Sequence, residues 1–385
     1  MAVTEPSSVP VLTDGVVTLR AYRYDDVPGM LDVYADPVMH RWTSLAPTFG
    51  ETEARAWIEE SLRHWAAGTQ VNWAVEAEDD TGVPRYAGQV DLRLGPVPAI
   101  GYFLAPWARG GGRATRAVRL AADWAFDVAK AAVLQWDCRA GHLESWRVAH
   151  RCGFRFEGVR TRALPGADGP VDAWTAVLLP DPDDPVATRA PLTTWWPVRT
   201  LDGAGVRLRA PAEHDLDRHV EACSDPASRW WSATLPHSCT RDDAEAWLQR
   251  AGLDAALGRA VVWTIADPAD DRYRGTVSVH AMDRPYTPTG GEIGFRLHPD
   301  ARGRGVASAA VEAVITHAFT PADDGGLGRH RLGLGASAEN TASRRVAERA
   351  GFRLVGEFRG DGVHGFDNEI VDDGVWYDLL ATDPR

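Results

Sequence analysis

The sequence predicts a mixed α/β (α+β) chain of two tandem domains, each a mixed, mostly antiparallel sheet flanked by helices. A segment with several glycines occurs twice, each time after a strand-like run and before a helix-like one. The copies are Gly101-Tyr102-Phe103-Leu104-Ala105-Pro106-Trp107-Ala108-Arg109-Gly110-Gly111-Gly112-Arg113-Ala114 and Gly294-Phe295-Arg296-Leu297-His298-Pro299-Asp300-Ala301-Arg302-Gly303-Arg304-Gly305-Val306-Ala307. Gly101 to Gly294 and Arg109 to Arg302 are both offset by 193, so the internal spacing is identical. The correspondence extends over nearly the whole chain: Asp36-Pro37 with Trp42 matches Asp225-Pro226 with Trp231, and Trp73-Ala74-Val75 matches Trp263-Thr264-Ile265. A repeat this long means two domains of one kind rather than a solenoid.

Taken in order through the second repeat, Val206–Arg209 reads as a strand, a helix starts near Glu213, and Thr240–Leu257 carries apolar residues at helical spacing. Val261–Asp267, Tyr273–Met282 and Glu292–Leu297 alternate or run apolar and read as strands. The glycine turn opens a helix over Ala307–Phe319, with Ala310, Val311, Val314 and Ala318 as its stripe. A strand at Arg331–Ser337, a helix at Ala342–Ala350 stopped by Gly351, and strands at Phe352–Arg359 and Val375–Leu380 complete it. Prolines from Pro180 to Pro191 sustain neither helix nor interior strand. Residues 12–180 and 198–382 are therefore expected as domains, with 181–197 as the linker.

Composition narrows the function classes. With 44% hydrophobic and 25% charged residues in 385, the chain reads as globular, and no apolar run reaches membrane-spanning length. The N-terminus lacks a basic segment followed by an apolar one, so a cytoplasmic location is expected. A net charge of −13 argues against nucleic acid as partner. Cys138, Cys152, Cys223 and Cys239 show no metal-ligand or disulfide spacing, and neither do the histidines, so reduced thiols and no metal are expected.

The glycine segment carries the chemistry. Glycine lets the backbone turn sharply and approach a ligand closely. A helix starting there points unpaired N–H groups and its positive dipole end at a pyrophosphate. Gly303-Arg304-Gly305 also begins the dinucleotide pattern Gly-x-Gly-x-x-Gly, but Ser308 replaces the third glycine and the turn lies mid-domain.

Arg-x-x-Gly-x-Ala in both repeats resembles the hallmark turn of the GNAT superfamily of acyl-CoA-dependent N-acyltransferases. The segment Glu339-Asn340-Thr341-Ala342-Ser343 through Gly351-Phe352 is similar to the signature of its ribosomal-protein N-terminal acetyltransferase branch. The resemblance implies acetyl-CoA as co-substrate, its pantetheine arm between two splayed strands and its pyrophosphate on the turn. Arg302, Gly303, Arg304, Gly305, Ala307 and Ser308 would hold it in the second repeat, with Arg109, Gly110, Gly111, Gly112, Ala114 and Thr115 equivalent in the first. In that branch an asparagine at the position of Asn340 contacts the cofactor and a serine at that of Ser343 lies near the sulfur, which implies Ser343 as proton donor; both residue types equally serve as helix caps.

Transfer to an amine needs a base. Glu292, two residues before Gly294 and on the strand face opposite Ile293, Phe295 and Leu297, fits that role; a strand-end glutamate in a structural ion pair is the other reading. In the first repeat Glu292 becomes Ala99 and Asn340 becomes His142, while Ser343 is kept as Ser145. The first domain therefore reads as degenerate or as using His142 for a base, and the second as the catalytic one. Trp42, Trp230 and Trp231 are read either as walls of an amine pocket or as core. The leading expectation is acetyl transfer to a primary amine of a small molecule, peptide or protein N-terminus by a monomer or homodimer. A noncatalytic acyl-CoA-binding or regulatory protein and an interaction role, one repeat buttressing the other, are the alternatives.

Overall fold

The computed structural model describes residues 8–43, 48–166, 169–180, 190–232, 234–236 and 238–384. The chain divides into two compact units, Met1–Leu192 and Thr193–Arg385. Of the expected linker, residues 181–189 lie outside the described residues. Its last part belongs to the second unit, where the Trp196 N–H donates to the Ala255 carbonyl at 2.9 Å.

The first unit runs β1 (Leu12–Thr13), β2 (Val17–Arg20), α1 (Val27–Tyr34), α2 (Pro37–Trp42), α3 (Glu51–Ala66), β3 (Gln70–Glu78), β4 (Pro84–Arg93), β5 (Ala99–Leu104), α4 (Arg113–Asp127), β6 (Leu134–Arg139), α5 (Leu143–Arg151), β7 (Arg155–Leu164) and β8 (Val171–Leu178). The second runs β9 (Leu201–Gly203), β10 (Val206–Arg209), α6 (Leu216–Ser224), α7 (Pro226–Trp230), α8 (Arg241–Ala256), β11 (Val261–Ala266), β12 (Tyr273–His280), β13 (Gly290–Leu297), α9 (Val306–Phe319), β14 (Arg331–Ser337), α10 (Thr341–Arg349), β15 (Arg353–His364) and β16 (Ile370–Leu380). Each unit forms one eight-stranded sheet of the same topology, β1-β2-β3-β4-β5-β6-β8-β7 and β9-β10-β11-β12-β13-β14-β16-β15. The pairings are antiparallel except β5 with β6 and β13 with β14.

Period-two alternation builds the layers. In β12 the residues Tyr273, Gly275, Val277 and Val279 are buried and alternate with partly exposed ones. Ile293 of β13 joins Val277, Val279 and the α9 residues Val306, Ala310, Val311 and Val314 in one apolar cluster, with Phe295 and Leu297 packed against it. Glu292, Gly294 and Arg296 therefore face the other side of the sheet. Trp73 and Trp263 are wholly buried core residues, and their indole N–H groups donate to the Pro10 and Arg199 carbonyls, each at 2.9 Å.

The second repeat departs from its expected pattern at three places. The helix expected from Glu213 begins with a short 3-10 turn, Glu213–Asp215, before α6. Helix α7 is five residues, too short for a periodic signal, and is started by the Asp225 cap on the Ser228 N–H. The final hairpin extends to His364 and back from Ile370, because ladder pairing overrides the poor strand propensity of Gly356, Gly360, Gly362, Asp372 and Asp373. Among the described residues no helix is long and apolar enough to cross a membrane.

A buried ion pair fixes the entry to the first helix in both units. Arg20 holds Asp26 through two hydrogen bonds of 2.8 Å, and Arg209 holds Asp215 through two of the same length. Asp215 also accepts from the Thr264 hydroxyl at 2.9 Å and the Ala212 N–H at 3.0 Å. Burial raises the Asp215 pKa, but Arg209 and these donors outweigh it and hold the carboxyl below the usual carboxylate range. Its stabilisation is present above the ordinary carboxyl pKa and is lost as pH falls through the lowered folded value. Asp215→Ala should lower unfolding free energy by about 2–4 kcal/mol in urea titrations at neutral pH, because it leaves the buried Thr264 hydroxyl and the Ala212 N–H without their acceptor and Arg209 with Asp271 as its one carboxylate partner among the described residues. Asp202→Ala, which breaks the exposed Arg207–Asp202 pair, should cost less than about 1 kcal/mol.

Candidate active site

In each unit the parallel strand pair parts midway. Strands β5 and β6 are in register only at Ala99 with Gln135 and Ile100 with Trp136. Strands β13 and β14 are in register only at Gly290 with Arg331, Gly291 with Leu332 and Glu292 with Gly333. Gly101–Leu104 stay paired to β4 and Ile293–Leu297 to β12, which leaves one backbone edge of each segment unpaired inside the sheet.

Each parted strand leads into a 3-10 turn, Pro106–Ala108 or Pro299–Ala301, then to an extended arginine and a glycine that opens the next helix. Gly110 and Gly112 have φ of +92° and +75°, and Gly303 and Gly305 have +71° and +77°. A Cβ at any of these four would meet nothing within 4 Å. Backbone conformation rather than crowding therefore requires glycine there, and the space above each turn is open. The amides of Arg113, Ala114 and Thr115 precede the first helical bond, Arg116 N–H to Gly112 O at 3.1 Å. Those of Val306, Ala307 and Ser308 precede Ala309 N–H to Gly305 O at 3.0 Å. No side chain caps either helix, so the first-turn donors and the positive dipole end face the open space.

The motif arginines brace the turn. Arg302 donates to Asp225 at 2.5 Å, the Ser228 hydroxyl at 2.8 Å and the Leu297 carbonyl at 3.3 Å. Arg109 donates to Asp36 at 2.5 Å and the Leu104 carbonyl at 3.1 Å. Asp36 and Asp225 cap α2 and α7, so each arginine ties the glycine turn to that short helix. Arg304 is exposed beside its turn, and Gly111 lies against Arg113.

Asn340 caps α10, its Oδ1 accepting from the Ser343 N–H at 3.1 Å. That leaves the half-buried Ser343 hydroxyl outside the cap. Glu292 is largely buried, receives Arg284 at 2.5 Å, and lies 3.5 Å from His280 Nε2. His280 and Arg284 hold its carboxyl below the usual range against the opposing effect of burial. In the first unit the equivalent serine is joined to a tyrosine: Tyr102 donates to the Ser145 carbonyl at 2.6 Å, and the Ser145 hydroxyl donates to the Tyr102 oxygen at 3.3 Å. His142 stacks on Trp42 with ring centroids 4.3 Å apart. Burial, with Arg109 and Arg41 nearby, pushes its pKa down to about 4, so the ring is neutral at pH 7 and a weak proton acceptor.

A cavity of about 900 Å³ in the first unit joins these parts, running from Gly110 and Gly112 past Tyr102 and Ser145 to Trp42 and Asp91. In the second unit Trp230 and Trp231 pack around His364, with centroids 5.7 and 4.9 Å away. Sequence reasoning missed Asp91, Tyr102 and His364. For the first, the sequence offers no more than an aspartate between Val90 and Leu92 in a strand that also carries Arg85, Gln89 and Arg93.

A stretch of 109 residues is 34% identical to the putative ribosomal N-acetyltransferase YdaF of Bacillus subtilis, covering 28% of this chain and 54% of that protein. A stretch of 110 residues is 34% identical to the probable N-acetyltransferase YjcK of the same organism, covering 29% and 53%. The chain thus spans about half the length of the curated relatives it matches. Mycobacterium smegmatis RimJ in complex with CoA-disulfide aligns with a TM-score of 0.40 at 23% identity, covering 45% of this chain and 88% of that one. The acetyltransferase (GNAT) domain model matches residues 17–155 and 206–353, more than half of the sequence and once in each unit, and the chain therefore belongs to the GNAT acetyltransferase family.

Proposed function

We propose that the protein is an acetyl-CoA-dependent N-acetyltransferase that moves the acetyl group directly to a primary amine in a ternary complex. The observation that carries this reading is the parted parallel strand pair leading onto an uncapped glycine helix start, present in both units with the helix-opening glycines, Gly112 and Gly305, offset by the same 193 residues as the rest of the turn. The unpaired strand edge offers hydrogen bonds to the amide-bearing pantetheine arm, and the helix amides offer them to the pyrophosphate. Acetyl-CoA supplies an activated thioester.

In the second unit Glu292 remains ionised and attracts the acceptor ammonium, taking its proton through water. The neutral amine then attacks the thioester carbonyl, the C–N bond forms as the C–S bond breaks, and the Ser343 hydroxyl protonates the departing sulfur and takes back the proton that the amide nitrogen loses. Acceptors of this reading are primary amines of small molecules, peptides or protein N-termini. YdaF, named as a ribosomal enzyme, favours the last of these.

Calorimetric titration of acetyl-CoA should give two sites on the intact chain, with Gly112→Glu removing one and Gly305→Glu the other. Each substitution sets a negative charge where phosphate sits. The matched alanine variants carry the same backbone strain, roughly 1–2 kcal/mol, and should bind far better. Failure of the intact chain to bind acetyl-CoA would refute the proposal.

Glu292→Gln and Ser343→Ala should each lower kcat/KM for the amine by about 100-fold or more while leaving acetyl-CoA affinity and Tm nearly unchanged. A matching loss of Tm would assign these residues to structure instead. Because the Glu292 pKa is lowered, the acid limb of kcat/KM should lie below the ordinary glutamate range.

A further inference from the structure

We propose that the first unit is a second acetyl-transfer site, in which Asp91 receives the acceptor ammonium and its proton; this rests on the transferase reading above. The placement of Asp91 is the first ground. It sits on β4 directly opposite Gly101 of β5, the first residue beyond the point where β5 and β6 part. A Cβ on Gly101 would lie 2.6 Å from Asp91 Oδ1, so glycine at that position makes the room the carboxylate occupies. Asp91 is 8% exposed and lines the cavity that runs to the glycine turn.

Its existing partners leave it capacity to bind. Gln89 donates to Oδ1 at 3.3 Å and Arg93 to Oδ2 at 3.4 Å, both long contacts on a group able to accept about four hydrogen bonds. Gln89 is itself fixed by the Tyr22 hydroxyl at 2.5 Å. Asn72, the register partner of Asp91 on β3, is 2% exposed, and its Nδ2 has no hydrogen-bond partner among the described residues. The under-used Asp91 carboxylate suits a bound hydrogen-bond donor such as an ammonium. Burial pushes the Asp91 carboxyl above the usual range against Arg93 and Gln89, which favours its taking a proton.

The two units exchange their acidic positions. Glu292 faces His280 across the ladder, where the first unit has Ala99 facing Arg93. Asp91 faces Gly101, where the second unit has Ser278 facing Gly294. Beside the strand parting the second unit thus carries Glu292 and the first Asp91, on adjacent strands of the repeat, and the two sites differ in where an acceptor's charge is met. Asp137 and Glu144 also line the first-unit cavity, together with Arg93, Arg109, Arg113, Arg139, Arg147 and Arg151, and Trp42 supplies an aromatic wall; the acceptor class, a primary amine, follows from the under-used Asp91 carboxylate and not from the net charge of the lining.

The step balances without a further reactant. The ammonium gives one proton to Asp91, the neutral nitrogen attacks the thioester carbonyl, the C–N bond forms and the C–S bond breaks. Ser145, bonded to Tyr102, hands the sulfur a proton and takes back the one the amide nitrogen loses. Asp91 returns its proton to solvent, and the products are an N-acetyl amine and free thiol.

Gly305→Glu confines cofactor binding to the first unit, and thiol release from acetyl-CoA is then followed with spermidine, tyramine and a serine-initiated hexapeptide. The expected result is that Gly305→Glu still acetylates at least one of them. Adding Asp91→Asn, or Asp91→Ser as in the second unit, then lowers kcat/KM by about 100-fold or more with unchanged acetyl-CoA affinity and Tm. Activity confined to Gly112→Glu, or an Asp91 variant as active as its parent, overturns this proposal and leaves the second-unit reading standing. An intact chain that turns over none of the three counts against transfer in both units.

Discussion

The parting of the parallel strands is the constraint on which the rest of each unit depends. Strand backbone must find hydrogen-bond partners, and a sheet that stays paired offers none to a ligand. By separating after two or three register pairs, β5 from β6 and β13 from β14, each sheet exposes one strand edge in its own interior. Antiparallel neighbours on the far side keep that edge rigid. In the first unit the glycine turn, Ser145 and Asp91 all line the cavity that this opening joins.

The turn itself is kept rigid by charge spent inside the scaffold. An arginine beside a phosphate cradle invites the assumption that it binds phosphate. Arg109 and Arg302 instead have carboxylate partners on the caps of α2 and α7, along with a backbone carbonyl of the preceding strand. What is left facing the ligand space is a row of amides on a helix start, a field that needs no rearrangement when an anion arrives. The short capped helices thereby share an anchor with the glycine turn, so the segment that includes Trp42 is positioned by the same ion pair.

The repeat, the sheet strands and the glycine turns were legible because they rest on local signals: period-two alternation, period-3.6 stripes and glycines in fixed register. The equivalence of Arg20–Asp26 with Arg209–Asp215 was not, since it depends on a side chain reaching six residues along the chain into a buried site. The hairpin of β15 and β16 was under-read because its glycines and aspartates disfavour strands until a partner strand supplies the pairing. The role of Arg302 was obscured because motif spacing gives a residue's position along the chain and not its hydrogen-bond partner. Asp91 was invisible for a related reason: in a strand that also carries Arg85, Gln89 and Arg93 an acid reads as one more polar residue, and only cross-strand register reveals that it meets Gly101 inside a cavity.

That register also explains how two copies can diverge without losing their opening. The glycines with positive φ admit no substitution without strain, and the bracing arginines cannot change without unpairing a carboxylate. The carboxylate beside the opening is bound by neither condition. It needs a place on the acceptor face within reach of the parting, and adjacent antiparallel strands offer more than one. Placing the acid on β4 rather than at the β13 position exchanges a carboxylate held by two cationic partners, Glu292 with His280 and Arg284, for a more deeply buried one, Asp91 opposite Gly101, and with it a lowered pKa for a raised one. Duplication of such a fold thus holds the glycine turn and its bracing arginine fixed while the carboxylate beside the opening is free to take another strand and another affinity for protons.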